Sequence, residues 1–225
     1  MTTNDVSISI NVVSEVADKS GQRKESRDYL KIRIGLNNRI LIETAAQIAD
    51  ELGLAAVTLT EVSDRLGVRK PSLYNHVKGL PDLRKGLAVF GSSQLRARIG
   101  EAAVGKARQD AIRAIAAEYR LFAHERPGLY QAIVAWSDRE DPAVKAATKE
   151  LMEVFYAVLR GYRLQDEALV HAVRGLRSVM HGFVALEASG WFAQPAERDI
   201  SYQQLLDTFI RGLEVLAGEE QGKDA

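Results

Sequence analysis

The stretch from Thr58 to Val77, TLTEVSDRLGVRKPSLYNHV, constrains this chain more than any other. Thr58 stands where a helix would begin and Glu61 follows three residues later. That is capping-box spacing, which satisfies backbone N–H groups left unbonded at a helix start. The helix so marked is short, about Leu59 to Leu66, with Val62 and Leu66 facing inward. Gly67-Val68 makes a tight turn. A second short helix is expected over about Lys70 to Val77, with Pro71 in its first turn, where a missing N–H costs little. Upstream, from Asn38, the residues Leu41, Ala45, Ile48 and Leu52 recur at helical spacing, and Gly53 supplies a stop. Three short helices with converging apolar faces, the last two joined through a glycine turn, make a helix-turn-helix.

Val62, Leu66, Val68, Leu73 and Val77 can meet the stripe of the first helix. The opposite flank of the last helix is then polar: Arg69, Lys70, Ser72, Tyr74, Asn75 and His76. These are the groups a DNA groove requires. Lys and Arg bond guanine, Asn bonds adenine in bidentate fashion, and Ser, Tyr and His reach phosphate oxygens. Formal net charge is zero overall, but residues 19–85 hold thirteen Lys/Arg against eight Asp/Glu, while residues 1–18 and 86–225 are net acidic. The basic surplus falls on the segment with the motif, a modest asymmetry by itself.

The register of Thr58, Glu61, Val62, Leu66, Gly67, Val68, Leu73, Tyr74, His76, Val77 and Leu83, behind a striped first helix, resembles the DNA-binding domain of TetR-family transcriptional regulators over about residues 36–90. The resemblance implies an all-α chain of about nine helices: an N-terminal three-helix helix-turn-helix domain, then a helical ligand-binding and dimerisation domain. It implies phosphate contacts from Thr58, Tyr74, His76 and Lys78, and an approach to bases by Lys70, Pro71, Ser72 and Asn75. Thr60 and Arg69 join the same DNA-contacting set. Two positions depart from the family pattern. Arg69 replaces the usual Ser or Thr cap of the last helix, a loss of about 1 kcal/mol. Leu80 replaces a Lys that usually clamps a phosphate, with Lys78 or Arg84 as stand-ins.

The rest of the chain reads as helices separated by loops, about Leu80–Ala102, Ala107–Glu125, a short one to Trp136, Pro142–Arg160, Asp166–Ser189 and Tyr202–Leu216. The expected layout is a flexible tail over 1–30, the DNA-binding domain over 31–83, the regulatory and dimerisation domain over 84–218, and a polar tail over 219–225. In the first tail Val6, Ile8, Ile10 and Val12 alternate as in a strand, the competing reading there, and Arg23, Lys24 and Arg27 could touch phosphates. The run from Leu176 through His181-Gly182 to Glu187, followed by Gly190-Trp191-Phe192, loosely resembles the regulatory domain of a subgroup named for a Trp-His-Gly signature. Val179 or Leu176 stands where that Trp belongs.

Two recognition helices must reach half-sites about one turn of DNA apart, so a homodimer is expected. Leu169, Val173, Leu176, Leu205, Phe209 and Leu213 are the interface candidates, with the protomer's own core as the alternative. Phe90, Phe122, Tyr130, Trp136, Phe155, Tyr156, His181 and Phe183 are candidates for a ligand pocket, each also readable as core. For His181 a place in the core, at the dimer seam or against an effector all stay open. Arg120, Glu125 and Arg174 could counter a polar ligand, or could simply be solvated.

The chain has no cysteine, which excludes disulfides and thiolate chemistry. No apolar run approaches the roughly 20 residues that span a bilayer, and the first residues lack the pattern of a secretory signal; a cytoplasmic protein is expected. Of the four histidines, His171 and His181 lie ten residues apart, about 80° away from each other on one helix, poor for a shared metal. No nucleophile–base spacing or phosphate loop is evident. Neither metal nor cofactor is expected. The expected function is that of a ligand-responsive transcriptional regulator, a repressor on a palindromic operator, and not an enzyme. A helical interaction or small-molecule-binding protein with a non-functional helix-turn-helix is the alternative, and an enzyme stands behind that.

Overall fold

The computed structural model describes residues 37–136, 138 and 140–223, with side chains described through Gly218. The tail proposed for residues 1–30, with its basic cluster, lies outside the described residues. Among the described residues nine α-helices follow in order: α1 (Asn38–Leu52), α2 (Leu59–Leu66), α3 (Lys70–Leu73), α4 (Leu80–Ala103), α5 (Arg108–Glu125), α6 (Pro127–Ala135), α7 (Pro142–Leu159), α8 (Asp166–Ala188) and α9 (Arg198–Lys223). No strand occurs among the described residues.

Local chemistry sets the first three helices. Asn37 caps α1 by accepting the Ile40 N–H at 2.9 Å, and Leu41, Ala45 and Ile48 form its fully buried face. Leu52, the end of the predicted stripe, is 57% exposed instead. Helix α1 ends there, and Gly53 at φ 87° turns the chain into a 3-10 turn over Leu54–Ala56, whose Leu54 and Ala56 pack on the core in its place. The Glu61 N–H donates to Thr58 Oγ1 at 3.0 Å, as the capping box requires, while the Glu61 carboxylate turns to Arg65 at 3.7 Å. Gly67 closes α2 in the left-handed region, φ 64°, which glycine adopts without penalty.

Helix α3 is shorter than its sequence predicts. Arg69 gives it no side-chain cap. Its end tightens into i+3 bonds, Tyr74 N–H to the Pro71 carbonyl at 3.3 Å and His76 N–H to the Leu73 carbonyl at 2.9 Å. That turn delivers Val77 to the core beside Val57, Val62 and Leu83.

Helix α4 serves both halves. Leu83 and Leu87 are buried near its start, and Leu95 and Ile99 further along. Against them and one another pack Ile112, Ile115 and Phe122 of α5, Leu129 of α6, Phe155 and Leu159 of α7 and Leu176 and Met180 of α8. Helix α9 begins before and ends beyond the predicted Tyr202–Leu216, so most of the segment read as a polar tail, 219–225, continues as helical backbone to Lys223. Its buried stripe, Tyr202, Leu206, Ile210, Leu213 and Ala217, extends past the predicted end of the helix.

The start of α6 lies directly on the end of α1. Asp50 accepts the Leu129 N–H at 2.9 Å and pairs with Arg126 at 2.5 Å. Gly128 is the point of closest approach: a Cβ there would overlap the Ala49 carbonyl and the Asp50 nitrogen, backbone atoms that cannot step aside. Gly128→Ala is expected to cost about 1–3 kcal/mol, or roughly 3–10 °C in Tm for a chain of this size. Gly100→Ala is the control, because its Cβ would meet only Val154 at an ordinary 3.9 Å. Calorimetry on the two variants decides the matter; equal melting temperatures would show that α1 and α6 are not held in this contact.

Candidate nucleic-acid interface and ligand cleft

The turn between α2 and α3 leaves most of the predicted DNA-contacting residues exposed. Thr58, Thr60, Arg69, Lys70, Pro71, Tyr74, Asn75 and Lys78 are exposed, and Ser72 and His76 are half-buried. Tyr74 is 55% exposed, unusual for a large aromatic. Lys70 Nζ donates to Thr60 Oγ1 at 3.3 Å, joining the starts of the two helices. Leu73 and Val77, on the inner side, anchor the segment.

The two stand-ins for the missing clamp lysine part company. Lys78 is exposed, and its backbone N–H is held by Asp82 Oδ2 at 3.1 Å. That N–H, followed by the Lys85 ammonium, holds the Asp82 carboxyl below its ordinary value. Arg84 Nε is buried with no hydrogen-bond partner among the described residues. Leu80 packs against the core.

Helices α4 to α8 surround a cleft of about 270 Å³. Of the predicted pocket residues, Tyr130, Phe155 and His181 line it. Tyr130 Oη lies 2.6 Å from His181 Nδ1 and 2.9 Å from Tyr119 Oη, and the two phenol rings meet edge-on. Burial pushes both phenols above their ordinary pKa, so both are neutral hydrogen-bonding groups. Arg174 stands at the α8 wall, where it could counter a polar ligand, with Arg177 beside it.

The other candidates lie elsewhere. Phe122 is fully buried core. Phe90 faces an outer groove with Glu43 and Glu125, and Tyr156 one with Arg160. Trp136 follows α6 and gives its indole N–H to the Asp138 carbonyl at 2.7 Å. Phe183 packs on Phe192 and Tyr202, each ring centre 4.8 Å away. Aromatic size marks a residue for the interior without saying which interior. Tyr119 and Arg177 had no motif to mark them, although Arg174, Arg177, Ser178 and His181 form a polar row within one stretch of α8.

Arg120 and Glu125 divide as well. Glu125 pairs with Arg98 at 2.7 Å on the outer surface. Arg120 belongs to a cluster around the buried Glu187 that joins α5, α8 and α9. Glu187, whose side chain is only 3% exposed, accepts two N–H groups from Arg120 at 2.8 and 2.7 Å and lies 2.8 Å from His124 Nε2. Arg120 also pairs with Asp199 at 2.8 Å and lies over the rings of Phe183 and Tyr202. The Arg120 guanidinium, with His124 adding to it, holds the Glu187 carboxyl down to about 2.

Among the dimer candidates, Val173, Leu176 and Leu213 are buried in the protomer's own core and are not available to a partner. Leu169 and Phe209 are half-buried, and Leu205 is exposed. Each of the last two helices carries a second, outward stripe with the same spacing: Gly175, Val179, Gly182 and Leu186 on α8, and Leu205, Phe209, Gly212 and Leu216 on α9. Phe209 lies over Gly175, so the stripes adjoin, and nothing among the described residues covers Gly182 or Gly212.

Residues 112–209 match the family described as tetracyclin repressor-like, C-terminal domain. The uncharacterised HTH-type transcriptional regulator YobS of Bacillus subtilis is 35% identical over 187 residues, covering 80% of this chain and 94% of that protein. The uncharacterised HTH-type transcriptional regulator Rv0681 of Mycobacterium tuberculosis is 34% identical over 156 residues, 69% of this chain and 72% of that protein. Among solved structures, a TetR variant from Acinetobacter baumannii AYE in complex with minocycline has the same fold, with a TM-score of 0.61 at 21% identity over 81% of this chain and 98% of that one. The relatives matched by sequence are regulators of transcription, not enzymes. No helix among the described residues is long and apolar enough to cross a membrane.

Proposed function

The chain belongs to the TetR family of helix-turn-helix transcriptional regulators, and from that premise we propose that it is a repressor that holds a palindromic operator as a homodimer and releases it when a small molecule enters the α4–α8 cleft. The observation that carries the DNA-binding part is the exposed polar flank of α3 and of the turn that follows it, which includes the exposed Tyr74 and is braced from behind by Leu73 and Val77. In the proposed complex this flank enters the major groove, and two copies reach half-sites one helical turn apart.

The dimer forms through the paired outward stripes of α8 and α9, a four-helix arrangement in which Gly182 and Gly212 allow close approach. The cleft reaches the DNA-binding half through α6. Tyr130 belongs to the cleft, and Leu129, its neighbour in sequence, is the residue whose N–H Asp50 of α1 holds. A ligand that favours a different seating of α6 shifts α1, and with it the spacing of the two recognition helices. The response requires only that the two states differ in affinity for ligand and for DNA. That a protein of this fold is found in complex with minocycline supports a small-molecule ligand.

The test is a fluorescence-anisotropy titration on a duplex selected from a random pool, repeated across a salt series. Tyr74→Ala and Lys78→Ala are expected to weaken binding to all duplexes alike. Lys78→Ala should also reduce the salt slope by about 1, the value for one phosphate no longer neutralised. Lys70→Ala and Asn75→Ala are expected to relax sequence choice at single positions, by about 1–3 kcal/mol each. Wild-type affinity in both the Tyr74→Ala and Lys78→Ala proteins, with an unchanged salt slope in the second, would rule out this docking.

A further inference from the structure

We propose that the molecule admitted to the α4–α8 cleft is an anionic amphiphile, a carboxylate carried on an apolar body of modest size. The inference rests on the ligand-responsive reading above and names its ligand class.

Charge is the first argument. Among the described residues no aspartate or glutamate lines the cleft, whereas two arginines at its exposed rim, Arg174 and Arg177, do. Several other guanidinium groups of the helical half find carboxylates, Arg98 with Glu118 and Glu125, Arg113 with Asp207, Arg120 with Glu187 and Asp199, and Arg160 with Glu153, while the exposed Arg108, Arg163 and Arg211 do not line this cleft. Arg174 and Arg177 make no ion pair or hydrogen bond with another described residue. They stand three apart on α8, so they are neighbours of like charge, an arrangement that a shared anion relieves. Arginine presents a planar fork of donors suited to carboxylate oxygens.

The remaining polar groups point the same way. The hydrogen-bonded set of Tyr119, Tyr130 and His181 spends two of its protons on its two internal bonds and keeps a donor for a ligand without adding a negative charge. A larger outer groove of about 750 Å³ between α5 and α9 lacks this bias, because its Arg113 and Arg120 are matched by Asp207 and Asp199.

Size and apolarity set the rest of the ligand. Leu95, Ile133, Leu151, Met152 and Phe155 supply the apolar lining. A cleft of about 270 Å³ is just below the roughly 300–1,000 Å³ usual for drug-sized ligands. It suits a chain of about ten carbons and is small for a multi-ring compound.

The experiment compares three probes of one length, decanoate, 1-decanol and decylamine, by isothermal titration calorimetry on the full-length protein at pH 7.5. Decanoate is expected to bind at least tenfold more tightly than decanol, and decylamine to show no binding. The double variant Arg174→Ala with Arg177→Ala is expected to bring decanoate within threefold of decanol. Its affinity for decanol should hardly change, which also reports an intact cleft. The proposal is overturned if decanol or decylamine matches decanoate, if none of the three binds, or if the double variant keeps the preference. A parallel titration of probe into the protein–DNA complex separates this failure from that of the functional reading. Decanoate that binds with the charge preference but leaves DNA bound upholds the ligand class and overturns the ligand-responsive function. Release of DNA by the neutral or cationic probe alone upholds that function and overturns the ligand class.

Discussion

A protein carrying Gly212→Glu together with Leu216→Glu is expected to be monomeric and to bind operator DNA roughly 10²- to 10⁴-fold more weakly. Both positions lie on the outward stripe of α9, at one angle around the helix, and neither belongs to the buried stripe through Tyr202, Leu206, Ile210 and Leu213. No described side chain meets a Cβ built on Gly212. The protomer therefore has no reason to unfold, and glutamate is a better helix former than glycine. What changes is the cost of association. Two carboxylates from each copy would have to lose water at a two-fold seam without a partner charge, and each would face its own mate. Once the subunits separate, the second half-site no longer binds at the effective concentration set by the first. Sedimentation velocity reads the association state and anisotropy reads the DNA affinity. Gln203→Glu, exposed on the opposite side of α9, is the control and should leave both unchanged. A double variant that still sediments as a dimer and binds DNA normally would mean that the proposed seam lies elsewhere.

The parts of the molecule that are legible in the sequence are those fixed by neighbours along the chain. Thr58 and Glu61, Gly67, Leu73 and Val77 act within one or two turns, so residue type and spacing locate the motif and tell its inner side from its outer. The end of α3 is not legible, because its last turn tightens to satisfy Val77, a tertiary demand that boundary signals do not express. Helix α9 shows the deeper difficulty. It carries two apolar stripes, one buried through Leu206, Ile210 and Leu213 and one outward through Leu205, Phe209 and Leu216. Periodicity alone mixes them, and so groups Leu213 with Leu205. The outward stripes on both helices also include glycines, which register as neither apolar nor charged. In the cleft, Tyr130 and Tyr119 come from different helices, and only packing reveals that their hydroxyls meet.

Glu187→Ala is expected to cost about 3–5 kcal/mol, the range found when one member of a buried ion pair is removed and the other is left behind. For a chain of this size that is a drop of roughly 6–20 °C in Tm. Exposed pairs of this chain, such as Arg39 with Glu43, are screened by water and are expected to contribute little. Glu187 differs because its side chain is almost wholly buried and Arg120 grips both of its oxygens. Arg120 is held in place by its packing over Phe183 and Tyr202, with only its edge reaching the outer groove between α5 and α9. Its remaining partner, Asp199, is mostly exposed and offsets little of the loss. The same cluster predicts a pH dependence. Glu187 titrates near 2 when folded and near an ordinary 4.5 when released. Between those values the unfolded chain binds the extra proton, so stability falls as pH falls. The contribution is complete above the unfolded value and is lost progressively as pH approaches 2, about 3 kcal/mol in all. Asp82 and Asp141, also held below their ordinary values, slope in the same direction, so wild type alone cannot isolate Glu187. The difference from Glu187→Gln does, because that variant keeps the shape and lacks the titration. Urea unfolding at pH 7, 5, 4 and 3 should show the gap between the two proteins closing as the acid range is entered. Parallel curves at every pH would place the tie between α5, α8 and α9 in the apolar packing around Arg120, and not in its bond to Glu187.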